Sequence, residues 1–177
     1  MAEKIPIPDD IRWQIAARMA SLLPVVYGIA FRDIAGDTYD RIEQQVWVAL
    51  AREGAEVART FSLPVGTAGA LASTLAVITA VFFGPETIPE TASFEGDRAV
   101  LLVKRCPFLL REEEFSAPPG SVFNRCMAFS IATIEALNPD YTLRFVRGAC
   151  QGDRNCEMKI GRKEGGERRK GPDTPVR

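Results

Sequence analysis

Four cysteines and no histidine set the chemistry open to this chain of 177 residues. Without an imidazole there is no Ser-His-Asp triad, no Cys-His pair, no histidine-ligated metal and no histidine pH switch. The thiols are Cys106, Cys126, Cys150 and Cys156. Four thiolates suit tetrahedral zinc or an iron–sulfur cluster. Their spacing lacks the tight C-x2-C pairs of zinc ribbons. Free cysteines also serve as small buried hydrophobes or pair as a disulfide, and spacing alone leaves all three readings open. Arg105, Arg125, Arg147 and Arg154 adjoin the set and could offset its negative charge. Gly152, between Cys150 and Cys156, gives a permissive backbone whose amides could face a thiolate.

A second candidate is Glu53. At 100° per residue it falls at the centre of a stripe formed by Ile42, Val46, Ala49 and Val57. A carboxylate there must find a partner or change its pKa, which would suit a pocket acid that orients a ligand or acts as a catalytic base. The next helix offers Leu71, Leu75, Ile78 and Phe82 as an apolar ligand wall, and a row of Ala68, Ala72, Ala76 and Ala80 as a close-packing or dimer seam. Trp47 falls at the stripe's edge and could be an interface residue. Ser121 to Arg125 offers no base for a serine nucleophile, and Gly96 and Gly120 read as turn glycines.

The elements that must position these residues follow from periodicity and punctuation. Asp10 to Leu23 reads as a helix, broken at Pro24, with a short apolar piece from Val25 to Ile34. Gly36-Asp37 stops it and starts the next helix, about Thr38 to Phe61. The uncharged stretch from Thr60 to Pro85 is near the length of a membrane span, but its Pro, Gly, Ser and Thr favour a buried core helix, Thr67 to Phe83. Thr91–Phe94 and Arg98–Cys106 read as a hairpin around Glu95-Gly96-Asp97, and Glu112-Glu113-Glu114 as a solvated loop or helix start. A helix from Val122 to Leu137 and strands at Tyr141–Arg147 and Cys156–Ile160 complete the order. The predicted fold is α+β: N-terminal helices packed on an antiparallel sheet, with one helix between two β-hairpins. Residues 1–37 read as a helical arm, 38–161 as the α+β domain and 162–177 as a flexible tail.

The apolar fraction of 46% and charged fraction of 25% describe a globular domain, and a net charge of −1 gives no field for nucleic acid. The N-terminal residues lack a signal-peptide pattern. A cytoplasmic protein with reduced thiols is expected, without a membrane or nucleic-acid partner.

The segment Cys150-Gln-Gly-Asp-Arg-Asn-Cys156-Glu-Met-Lys-Ile160 resembles the terminal motif of 4-vinyl reductase-type domains. Trp47 to Glu86, Arg105-Cys-Pro-Phe108, Cys126 and Leu137-Asn-Pro139 resemble more closely the L-2-amino-thiazoline-4-carboxylic acid hydrolases and their relatives. The likeness covers about residues 38 to 161. It implies an α+β fold, often dimeric, with an apolar ligand pocket. It also implies a structural zinc held by the cysteines matching Cys126, Cys150 and Cys156. The related domains place a glutamate where this chain has Arg147, which cannot bind a cation, and Cys106 is the natural replacement ligand.

Three functions are therefore expected to compete. The first is a domain binding a small apolar or amphipathic ligand, a homodimer with a structural four-cysteine zinc site. The second is a hydrolase of a cyclic amidine or amide such as L-2-amino-thiazoline-4-carboxylate, with Glu53 as the candidate catalytic residue. The third is an iron–sulfur redox protein.

Overall fold

The structure, a computed structural model, describes residues 6–94, 97–118 and 121–163. Gly96 and Gly120, read as turn glycines, lie outside the described residues, as does the tail from residue 164.

Helix α1 (Asp9–Ala35) is continuous through Pro24, where the sequence predicts a break. An internal proline removes one backbone hydrogen bond. Contacts of α1 with the following helices, through buried Ala17, Ser21, Val25 and Gly28, keep both halves helical. The N-terminal arm is thus packed on the domain. Gly36, at φ +50°, turns the chain into α2 (Asp37–Thr60).

The buried face of α2 is Glu43, Trp47, Ala51, Gly54, Ala55 and Ala58. It is not the predicted stripe: Ile42 is 56% exposed and Val46 59%. The small residues make the closer packing surface. A Cβ on Gly54 would come within 2.9 Å of Ile78 Cγ2, so only glycine admits the helix that follows at this distance. That helix, α3 (Ala68–Phe83), begins where the Thr67 side chain accepts a hydrogen bond from the Ala70 amide at 3.2 Å. Leu71, Ala72, Leu75 and Ile78 are fully buried, and α3 contacts three of the four strands.

The sheet runs β1 (Ile88–Phe94), β2 (Arg98–Arg105), β4 (Cys156–Arg162), β3 (Tyr141–Arg147), with every neighbouring pair antiparallel. Ala99 and Leu101, Tyr141 and Leu143, Met158 and Ile160 alternate inward along their strands. Ala99 pairs with Ile160 and Leu101 with Met158, so the core face is continuous. Between the hairpins lie α4 (Pro107–Glu114), with proline at its first position, and α5 (Ser121–Leu137). The predicted α+β architecture is present. The acid run is the end of α4, with Glu112 buried, and β4 extends through Arg162, one residue into the predicted tail.

Among the described residues, α1 is the one helix long and apolar enough to cross a membrane, a property it shares with core helices and signal sequences. Trp13 Nε1 donates to Val81 O at 3.1 Å, and Arg18 pairs with Glu114 at 2.6 Å; both tie α1 to the domain.

A candidate thiol site beside an apolar cavity

Each cysteine comes from a different place in the fold. Cys106 follows the last residue of β2 and stands at the N-cap position of α4. Cys126 lies on α5, Cys150 in a short 3-10 turn at Ala149–Gln151, and Cys156 opens β4. All four line one cavity of about 70 Å³. Its other walls are aromatic and apolar: Trp47 from α2, Phe83 from α3, Phe108 from α4, Phe129 from α5 and Met158 from β4. Trp47 meets Phe108 edge-on at 5.4 Å between ring centroids and Phe129 at 6.0 Å, which fixes the wall by aromatic packing.

The turn between Cys150 and Cys156 is held by its backbone. Gly152 adopts φ +99°, Asp153 Oδ2 accepts from the Gly148 amide at 2.9 Å, and the Ala149 amide donates to Cys156 Sγ at 3.3 Å. An amide is thus aimed at a sulfur, as the Gly-Asp turn implies. Cys126 is in hydrogen-bonding contact with Cys106, which lowers the Cys106 thiol pKa; the amides of Phe108 and Leu109 at the start of α4 lower it further. The same contact, together with burial, raises the Cys126 thiol. Burial, with Cys156, Cys106 and Glu112 nearby, pushes Cys150 up to about 12. Burial also raises Cys156, against the Ala149 amide.

As it stands this is a cluster of thiols: among the described residues, no group of three or more His, Cys, Asp or Glu side chains is set as the ligands of a metal ion. The donor chemistry nonetheless fits a soft tetrahedral ion. Four cysteines from four segments line one cavity, and backbone amides face the sulfurs of Cys106 and Cys156.

The other expected site residues are placed elsewhere. Glu53 is on the exposed side of α2, so it is not a pocket acid. Leu71, Leu75 and Ile78 are solid core and Phe82 packs beside it; none of the four lines the cavity. From α3 the lining is Thr79 and Phe83. Ala68 and Ala72 are fully buried within the chain, so that half of the alanine row is no dimer seam. Trp47, expected at an interface, is 4% exposed and central. The arginines do not gather at the sulfurs. Arg125 turns toward α1 and α2, Arg147 pairs with Glu157 at 3.7 Å, and Arg105 and Arg154 are exposed.

Sequence reasoning missed three features. Glu112 is buried and close enough to the thiols to oppose the lowering of Cys106 and to add to the raising of Cys150. Thr87 lines the cavity with its hydroxyl buried and without a hydrogen-bond partner. Glu43 and Arg125 form a buried ion pair at 3.3 Å. Glu43 stands one turn before Trp47 and Arg125 one turn before Phe129. That four-residue spacing was the available signal, but it was overshadowed by the larger aliphatic side chains of α2.

No protein-family profile matches the chain, and no curated protein matches it.

Proposed function

We propose that this chain is a small-molecule-binding domain whose four cysteines form a structural metal site at one wall of an apolar cavity. The observation that carries the reading is that Cys106, Cys126, Cys150 and Cys156, brought from four separate elements, all line that one cavity. The resemblance of Cys150 to Ile160 to the 4-vinyl reductase motif supports it, with Cys106 in place of the glutamate ligand. The four cysteines would hold zinc, which would supply a fixed cross-link between the β2–α4 corner, α5 and the β3–β4 turn. Four thiolates leave no open position for a reactive water, so the metal would be structural.

The cavity favours binding over hydrolysis. No Asp or Glu is among its lining residues, and Glu53 is exposed. Its lining includes Thr79, Thr87 and Ser130; the Thr79 hydroxyl donates to the Leu75 carbonyl at 2.7 Å, whereas the Thr87 hydroxyl has no partner. About 70 Å³ admits a few heavy atoms; a cavity of about 150 Å³ is known to take benzene. The ligand is therefore a small apolar molecule with one hydrogen-bonding group for the Thr87 hydroxyl, and a larger one must open the wall.

Cobalt(II) refilling of the metal-depleted chain tests the site. A tetrahedral thiolate spectrum that weakens on Cys→Ser substitution at each of the four positions is expected. A spectrum indifferent to Cys106→Ser would remove that residue from the site, and the absence of any cobalt–thiolate band would reject the metal centre. Visible iron–sulfide absorption in freshly purified protein would favour the iron–sulfur alternative.

A further inference from the structure

We propose that the outward face of α1 is the surface through which two copies of this chain pair, antiparallel, about a two-fold axis near Leu23.

Helix α1 is apolar on both sides. Its inner side packs on the domain through Ala17, Ser21, Val25 and Gly28. At 100° per residue, Ala16, Met19, Leu23, Val26 and Ala30 fall on the opposite side, and all five are exposed. Their alternating three- and four-residue spacing is that of a helix-pairing seam. No charged residue lies between Arg18 and Arg32. Val46, 59% exposed, extends the surface onto α2. It stands two turns from Tyr39, whose ring lies 5.3 Å from the Arg32 guanidinium of α1, so it shares the side of α2 that meets α1.

The area is that of an interface. Ten large apolar side chains of α1 are 37–81% exposed. A large side chain presents roughly 150–250 Å², so together they offer on the order of 800–1,000 Å². The largest apolar patch of a typical monomer is about 300–600 Å², and each partner in a standard interface buries about 800 Å².

Charge assigns the occupant and its direction. Arg12 and Asp33 lie on the same outward side, one near each end of α1, and both are exposed. Within its own chain Arg12 pairs with Asp9, an exposed contact that contributes little. A two-fold axis across the helix midpoint brings Arg12 of each copy beside Asp33 of the other, as a self-complementary interface requires. Parallel pairing would set like charges together. A lipid surface is a poorer match: a surface-bound helix needs Lys and Arg, and the ends of α1 carry Asp9, Asp10 and Asp33, with Asp37 just beyond. The chain's own residues 164–177 offer Val176 as their one large aliphatic side chain, too little to cover the face.

Sedimentation equilibrium of the full chain across the micromolar range tests the pairing. Wild type is expected to be a dimer. Leu23→Glu sets two carboxylates against each other at the axis and should weaken it at least about 100-fold. Arg12→Asp and Asp33→Arg each place a favourable charge at their end of the helix, so both should fold. Each alone should weaken the dimer by about tenfold or more. The double substitution, or a mixture of the two single variants, should restore it. A monomeric wild type would overturn the proposal, and its flotation with vesicles of phosphatidylcholine and phosphatidylserine would give the face to a lipid surface instead. A dimer indifferent to Leu23→Glu would place the interface elsewhere, and one indifferent to both charge reversals would reject the antiparallel direction. None of these readouts depends on the thiols.

Discussion

The Ala149 amide donates to Cys156 Sγ at 3.3 Å, so the turn joining β3 to β4 is closed onto a sulfur. Amide-to-sulfur bonds of this kind orient thiolate ligands and tune the metal they hold. The same turn carries Cys150, which links the local backbone geometry to two of the four thiols.

Ala149→Pro isolates that bond. Ala149 is the first residue of its 3-10 turn, and Gly148 before it has φ −134° and ψ 116°, a conformation that proline tolerates in its predecessor. The substitution should keep the fold and lose the N–H. Metal affinity is expected to fall about 10–100-fold in competition with a chelator, the usual cost of removing an outer partner of a metal ligand. An affinity equal to wild type would show that the amide does not act on the metal.

Asp97 ties the sheet to α3. It accepts from the Tyr141 hydroxyl and from the Ala68 amide at 2.8 Å, and these bonds hold its carboxyl below the usual range. A depressed folded-state pKa contributes stability that is present above the ordinary carboxylate pKa and lost as pH falls through the folded value. Asp97→Asn tolerates the same positive φ of 56° and removes only the charge. It should cost about 1 kcal/mol at neutral pH in denaturant unfolding. The difference from wild type should shrink on acidification below about pH 4. A pH-independent difference would point to lost geometry instead.

Much of this fold was legible because its punctuation is local. Gly36-Asp37, Thr67, the strand alternation and the Asn138-Pro139 stop act through nearby backbone. Pro24 misled, since tertiary contacts of α1 outweighed one missing hydrogen bond. The α2 face misled more instructively. Large aliphatics at Ile42 and Val46 suggested burial, yet Ala51, Gly54 and Ala55 permit the close helix approach that the core uses. A shared setting for the four cysteines was legible only as one of three readings of their residue type. The cavity lining was not, because it depends on which of the phenylalanines meet across α3, α4 and α5.

Glu43 and Glu53 separate these two readings of α2. Glu43→Ala leaves Arg125 buried without its counter-charge and should cost about 3–5 kcal/mol in thermal or denaturant unfolding. Glu53→Gln changes an exposed position and should stay within about 0.5 kcal/mol. The reverse order would restore Glu53 as the buried acid.

Thr87→Val tests the cavity's polar anchor. The Thr87 hydroxyl is buried and unpaired, so a methyl of the same shape should leave stability unchanged or raise it by about 1–3 kcal/mol. Binding of a small apolar molecule bearing a hydroxyl should weaken, while its hydroxyl-free analogue is unaffected. Calorimetry with isopropanol and propane-sized apolar probes compares the two. Equal losses for both would mean that the hydroxyl does not anchor the ligand.

Metal content bears most directly on the four-cysteine site. The full chain, purified without oxygen or added metal, is assayed by elemental analysis together with its visible spectrum and its thiol reactivity. One zinc per chain, no colour and four thiols protected until a chelator is added are the expected results. A folded chain free of metal, with all four thiols reactive from the outset, would contradict a metal centre.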